Sequence, residues 1–316
     1  MIIDTHLHVG FKGFSEQELI NYLDANGIEK CWLLTWEEQA PVIDDLYQHL
    51  SIDRVLEAYH NHPDRIVPFY APDPGRRNVE SLISKYLEMG VQGIGELKVK
   101  YKWSSPEMLR YLKAVDGTGC PVLFHMEADR YHFIPPNDNV TGKALDVIMN
   151  RGFNGVVRKY VDRFINLTGL FKEKFKARLK YFPGYLMDFQ GLEKRLQQFP
   201  DINFIAHGPR FWNHVSRNPD EELNFMRGKV EEEGIAVQLL KEYDNLYADI
   251  SGKSGFNALT RDEDFAKELL HECADKLLYG TDNYELGHFE AIKSFELPKQ
   301  KEELILHENA EALIQP

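Results

Sequence analysis

The chain is predicted to be an α/β protein built as a (β/α)8 barrel, and three observations predict it. Short β-rich runs and segments of helical period alternate through eight cycles. The strand starts recur about 30 residues apart, the length of one strand–helix unit. No Gly-rich phosphate loop follows the first strand, which disfavours the runner-up, a doubly wound open sheet.

The eight runs are IIDTHLH (2–8), CWLLTW (31–36), IVPFYAP (66–72), GIGELKV (93–99), PVLFHME (121–127), NFIAHG (203–208), LYADISG (246–252) and KLLYGTD (276–282). Among the intervening segments, SEQELINYLDANG (15–27) opens on Ser15 with Glu18 three positions on, a capping box, and stops at Gly27. NVESLISKYLEMG (78–90) spaces Val79, Leu82, Ile83, Tyr86 and Leu87 as one helix face and stops at Gly90. SPEMLRYLKAVDGTG (105–119) and EDFAKELLHECA (263–274) follow the same pattern. One interval breaks the cycle: 129–201, between the fifth and sixth strands, is too long for a crossover. Its stretch 151–185 is helical in pattern, with nine Lys/Arg from Arg151 to Lys180 against Asp162 and Glu173. An insertion there lies on the catalytic face of a barrel. The expectation is therefore one domain, 1–316, with a helical insertion after strand 5, spanning 129–190, that serves as a lid. Residues 213–242 form a smaller elaboration on the same face.

Composition narrows the function. With 43% hydrophobic and 28% charged residues the chain reads as an ordinary globular protein. A net charge of −13 argues against nucleic acid as a partner, since backbone binding needs clustered cations. Cys31, Cys120 and Cys273 are sparse, without a CxxC, and suit a reducing compartment as buried apolar residues. No secretory pattern opens the chain, and no apolar run reaches the ~18 residues of a membrane span. The expected location is the cytoplasm; whether the chain forms a homo-oligomer is left open.

Side chains at i and i+2 of a strand share a face, so His6 and His8 project together. The other polar residues at strand carboxyl ends are Glu96 and Lys98 (fourth), His125 (fifth), His207 (sixth), Asp249 and Ser251 (seventh) and Asp282 (eighth). A barrel gathers these ends into one ring. Imidazoles and carboxylates together suit a divalent metal, Zn²⁺ first, with Mn²⁺ or Fe²⁺ as alternatives. The remaining histidines fall in helix-like or loop stretches and read mostly as surface residues.

The motifs DTHLH (4–8), GELK (95–98), LFH (123–125), FIAHGP (204–209), YADISG (247–252), LYGTD (278–282) and the closing HENAEALI (307–314) span nearly the whole chain. In these the sequence resembles the amidohydrolase superfamily, specifically its amidohydrolase-related branch of TIM-barrel metal-dependent hydrolases and decarboxylases. The resemblance implies His6, His8 and Asp282 as ligands of a deeper metal, with His125 and His207 matching further ligand positions. It also implies Asp282 as the acceptor of a water proton. Many members carry a carboxylated lysine on the fourth strand; here Glu96 takes the bridging place, as in TatD-type deoxyribonucleases, and either one or two ions fit. A divalent metal lowers the pKa of bound water from 15.7 to about 7 and polarises a carbonyl. His207, where not a ligand, would steady the oxyanion. Lys98, Arg210, Trp212 and Asp249 are the expected substrate-binding residues, Asp249 being also a candidate to orient imidazoles. With the basic insertion, Lys98 and Arg210 favour an anionic small molecule. The leading function is a metal-dependent hydrolase of a small lactone, ester or amide. The alternative is a non-oxidative decarboxylase, a lyase, which needs one metal and no bridging Glu. A TatD-like phosphoesterase and a non-catalytic binding protein rank lower.

Overall fold

The computed structural model describes residues 1–37, 49–133, 160, 163, 179–186, 188–220, 223 and 225–314. In chain order its elements are β1 (Ile3–Leu7), α1 (Glu16–Ala25), β2 (Lys30–Leu33), α2 (Ile52–Asn61), β3 (Ile66–Pro68), α3 (Val79–Glu88), β4 (Ile94–Leu97), α4 (Pro106–Val115) and β5 (Val122–His125). Next come β6 (Arg130–Phe133), β7 (Leu179–Phe182), α5 (Phe189–Gln198), β8 (Phe204–His207), α6 (Pro209–Asn213), α7 (Ile235–Glu242) and β9 (Leu246–Asp249). The chain continues with α8 (Gly252–Thr260), α9 (Glu263–Glu272), β10 (Leu277–Leu278), α10 (His288–Ser294), α11 (Lys299–Glu303) and α12 (Asn309–Leu313).

The parallel strands pair in the orders β1-β2-β3 and β10-β9-β8-β5-β4. Both seams between these sheets are stitched. Phe69 bridges Gly93 in parallel, and Tyr70 N donates to Gly93 O (3.0 Å). At the other seam Thr5 N donates to Tyr279 O (2.9 Å) and Asp282 N to His6 O (2.8 Å). The strands thus follow the TIM-barrel order, with helices outside. The expected capping box is present on α1: Ser15 accepts from Glu18 N, and the Glu18 carboxylate accepts from Ser15 N. Such a cap stabilises a helix by about 1 kcal/mol.

Side-chain parity sorts the core. Ile3, Trp32, Phe69, Leu123, Ile205 and Leu278, one from each of six strand regions, meet in one buried cluster that Ala310 and Leu313 of α12 close. Their sequence neighbours Val122, Phe124, Phe204, Ala206 and Leu277, and the residues Leu246 and Ala248 flanking Tyr247, point outward into the layer under the helices. Each fully buried Leu or Ile contributes about 1.5–3 kcal/mol to holding the layers together. Continuing this alternation puts His125, His207 and Asp249 inside. In β1 and β4 the register shifts, between Asp4 and Leu7 and between Ile94 and Leu97. Such irregularities re-aim side chains next to functional sites.

At its two ends the insertion departs from the helical expectation, whereas Tyr160 and Arg163 lie in helix as expected. Its ends form an antiparallel ribbon, Arg130 opposite Phe182 through Phe133 opposite Leu179. Aromatic residues suit a ribbon better than a helix, and RYHF and LKYF are rich in them. Residues 134–159, 161–162, 164–178 and 187 of the predicted lid lie outside the described residues. Among the described residues no helix is long and apolar enough to cross a membrane. The three cysteines are buried and free.

Candidate metal centre

The carboxyl end of β1 is held by groups from the far end of the chain. Buried Asp4 accepts from Thr281 Oγ1 (2.6 Å), Thr281 N (3.1 Å) and His6 N (3.0 Å). Asn283 grips His8 on both backbone sides, accepting from its N (2.8 Å) and donating to its O (2.9 Å). Asp282 and Asn283 both adopt φ of 55°, a left-handed conformation that Asp and Asn tolerate better than other side-chain-bearing residues. Gly252 passes so close that a Cβ there would lie 2.9 Å from Asp282 Oδ2.

These supports bring His6, His8, Glu96 and Asp282 together. His6 Nε2 lies 3.2 Å from His8 Nε2, 3.7 Å from Glu96 Oε2 and 3.8 Å from Asp282 Oδ1. His8 Nε2 is 3.5 Å from each of the same two carboxylate oxygens. Two donors ~2.1 Å from one ion lie ~3.4–3.6 Å apart at tetrahedral to trigonal angles, so the spacing fits a divalent ion. The hydrogen bonds set the tautomers. His6 Nδ1–H donates to Asp249 Oδ2 (2.5 Å), and His8 Nδ1–H donates to the Leu34 carbonyl (2.9 Å). Both Nε2 lone pairs then converge, an arrangement that repels unless a cation or a proton sits between them. Burial opposes the charge on His6, but Asp249 and then Glu96 raise its pKa well above the usual value. Burial lowers the pKa of His8 and takes that of His207 down to about 3. Burial also disfavours ionised Asp282 and Glu96. It is outweighed by His8 and His6 at Asp282, and at Glu96 by Lys98 and His125, so both carboxyl pKa values fall below the usual carboxylate range. Metal binding at these donors would compete with protons for the His6 and His8 nitrogens.

A second cluster adjoins the first through Glu96. Its Oε1 lies 2.7 Å from His125 Nδ1 and 3.9 Å from His207 Nε2. Glu96, His125 and His207 form a group that could hold an ion, as do His6, His8 and Glu96. His207 Nδ1–H donates to Ser251 Oγ (3.1 Å), which in turn donates to Asp249 Oδ2 (2.9 Å), leaving Nε2 free to ligate. Glu96 Oε2 is buried without a hydrogen-bond partner, although Lys98 Nζ sits 3.2 Å away and over the Trp36 ring. That orphaned oxygen faces the first cluster, where a metal would satisfy it.

Two expected substrate contacts are buried. Trp212 is 2% exposed, packs in the outer core and donates its Nε1–H to Asp249 O (3.1 Å). Asp249 has no exposed surface, and its carboxylate is engaged by His6 and Ser251, the contacts expected of a group that orients an imidazole. Arg210, half-buried at the start of α6, anchors its N–H on Met126 O (2.9 Å) beside the site. Its neighbour Gly208 has φ of 101° and a Cβ there would lie 2.6 Å from Met126 O, so glycine lets β8 approach β5. His288 is 2% exposed, against the surface reading, and donates Nε2–H to Gly252 O (2.9 Å).

Sequence reasoning missed Glu127, Lys12, Lys253 and Asn283. Glu127 could have been found from its parity with His125. Lys12 and Lys253 lie in loop and helix-start positions with no period to read. Lys12 Nζ donates to Asp282 O (3.4 Å) and lies over the Tyr284 ring, and Lys253 Nζ lies 5.1 Å from the same ring. Burial takes the Lys12 pKa down to about 7; the Asp282 charge opposes this, while Lys253 and Lys98 add to it.

A family model described as amidohydrolase matches residues 3–315. No curated protein sequence matches the chain. Among solved structures, it is similar to an uncharacterized TIM-barrel protein from Bordetella bronchiseptica, with TM-score 0.60, 16% identity, and 99% and 97% of the two chains covered. It is also similar to a probable 2-pyrone-4,6-dicarboxylic acid hydrolase from Acinetobacter baumannii, with TM-score 0.54, 14% identity, and 99% and 98% covered. A third similar structure is the 5-carboxyvanillate decarboxylase from Novosphingobium aromaticivorans, complexed with manganese. It aligns with TM-score 0.52 and 15% identity, covering 93% of this chain and 78% of that one. At these identities the structural likenesses establish the fold.

Proposed function

The chain belongs to the amidohydrolase family, and on that premise we propose that it is a metal-dependent hydrolase of a small lactone, ester or amide carrying an anionic group. The observation that carries the reading is Glu96: one carboxylate oxygen faces His6 and His8, the other faces His125 and His207. A bridging carboxylate of this kind suits two ions and hydrolysis. When bound, a divalent ion, zinc first, supplies an acidified water and a Lewis acid for the carbonyl. His6, His8 and Asp282 would hold the first ion, with Glu96 between it and a second held by His125 and His207. Asp282 takes the water proton and passes it to the leaving group. Asp249 and Ser251 keep His6 and His207 in the tautomer that presents Nε2. Lys98 and Lys253 lie close enough to Lys12 to depress its pKa, and a carboxylated substrate would relieve that repulsion. Residues 1–316 are read as one catalytic domain working in the cytoplasm, where its free cysteines stay reduced.

One observation favours the second reading, a decarboxylase. Lys98 and His125 already engage Glu96, so a single ion on His6, His8 and Asp282 is a self-consistent site. Manganese is what the Novosphingobium decarboxylase carries. Elemental analysis of the purified chain, followed by a panel of lactones and aromatic carboxylic acids, separates the readings. Two ions with lactone opening support the hydrolase, one ion with CO₂ release supports the lyase, and a chain that takes up no divalent metal removes both.

Arg210→Ala tests the anionic substrate. The expected result is a KM raised about 10- to 100-fold for carboxylated lactones, the loss of one charge-assisted pair, with neutral lactones unaffected. An equal loss on both would sink the carboxylate clamp.

A further inference from the structure

His6, His8 and His207 take their orientation from the barrel, through Asp249, Leu34 O and Ser251. His125 differs. Its Nδ1 faces Glu96, and its Nε2 lies 3.3 Å from Glu127 Oε2, an ion-pair contact. Glu127 lies just past β5, where the insertion begins, and is 6% exposed. Its backbone pairs both ways with Tyr185, at 3.1 and 2.9 Å. Its other oxygen lies 2.5 Å from Arg130 Nη1. Arg130 opens β6 and sits 4.8 Å from the ring centroid of Phe182, the last residue of β7. Phe182 packs edge-on against Tyr185, whose ring stands edge-on to His125 at 5.9 Å. The far side of the His125 ring is thus formed by the stem of the insertion.

We propose that Glu127, anchored by Arg130, is a positioning residue that turns His125 Nδ1 toward Glu96, so that the second cluster is assembled by the stem of the insertion. A carboxylate on one ring nitrogen fixes which nitrogen carries the proton and how the ring is rotated. The Arg130 guanidinium holds the carboxylate in place, and the ribbon holds Arg130. Any displacement of the stem from the barrel therefore loosens His125 while His6 and His8 stay fixed. The inference rests on the metal-binding reading above and adds to it where the second ion's affinity is set.

The test uses the full chain as wild type, Glu127→Ala, Glu127→Gln and Arg130→Met. Each is titrated with Zn²⁺ alone by calorimetry, and long-range ¹H–¹⁵N spectra of the histidine rings are recorded with and without Zn²⁺. Glu127→Ala is expected to weaken the second ion about 10- to 100-fold and to leave the first unchanged. Glu127→Gln, which retains an acceptor oxygen, restores part of the loss, and Arg130→Met gives a smaller loss of the same kind. The His125 ring signals change in Glu127→Ala, whereas those of His6, His8 and His207 do not, a selectivity that general destabilisation would not produce. Wild-type affinity for the second ion in Glu127→Ala overturns the proposal and leaves the metal-dependent reading intact. If the alanine variant does not fold, wild-type second-ion affinity in both Glu127→Gln and Arg130→Met overturns it instead. A wild-type chain that takes one ion only also overturns it, with the lyase reading still standing. A wild-type chain that takes none removes the metal reading itself.

Discussion

Replacing His6 and His8 together by alanine is expected to abolish metal binding at the first cluster and to lower kcat/KM by about 10³-fold or more, while the barrel still folds. The loss is large because a divalent ion supplies several kcal/mol of charge stabilisation in the transition state, and each 1.36 kcal/mol is tenfold in rate. Two of its converging donors vanish at once. The remaining first-cluster carboxylates, Glu96 and Asp282, cannot replace two imidazoles without moving strands that are locked by Asp4–Thr281 and Asn283–His8 hydrogen bonds. Folding survives because the buried cluster of Ile3, Trp32, Phe69, Leu123, Ile205 and Leu278 contains neither histidine. Elemental analysis and far-ultraviolet circular dichroism check both halves; full metal content in the double variant would refute the assignment of the first cluster.

Asp282→Asn is expected to lower kcat about 10²- to 10⁴-fold, the range for losing a general acid–base group, with a smaller change in KM. Asparagine matches aspartate in shape and tolerates the left-handed φ of 55° at this position, so the backbone bond from residue 282 N to His6 O is preserved. What disappears is the charge and the proton-accepting oxygen. His8 Nε2 and His6 Nε2 lie 3.5 and 3.8 Å from that oxygen, so first-ion affinity falls as well. Kinetics at saturating metal separate the two effects. A variant that keeps kcat within a few-fold when saturated would assign the proton transfer elsewhere.

The histidines and carboxylates of the site were legible as residue types at strand ends. Parity carried His125, His207 and Asp249 inward, because β5, β8 and β9 alternate without interruption into the barrel. The same logic does not carry β1 and β4. Ile3 and Gly95 face the barrel interior, and strict alternation from them would turn His6, His8 and Glu96 outward. The register shifts in both strands reverse this. The placement of Trp212 was not legible for a related reason: an aromatic residue near a strand end can face the cavity or the wall behind it, and only packing decides which. The insertion looked helical because charge and apolar spacing dominate its middle, whereas its ends pair as a ribbon through contacts 46 to 52 positions apart, from Phe133–Leu179 to Arg130–Phe182.

The order of strands and helices, the family, and the chemical kinds of ligand are properties of the chain read in line, and the sequence by itself determined them. Which nitrogen of each histidine faces the centre, that Glu96 points one oxygen at each cluster, and that His125 leans on the insertion were decided by the tertiary structure. These depend on hydrogen bonds between residues far apart in sequence: His6 with Asp249, His8 with Leu34, Asp4 with Thr281 and His125 with Glu96. No local spacing encodes such partners, because each pair meets only when the strands close around a common axis.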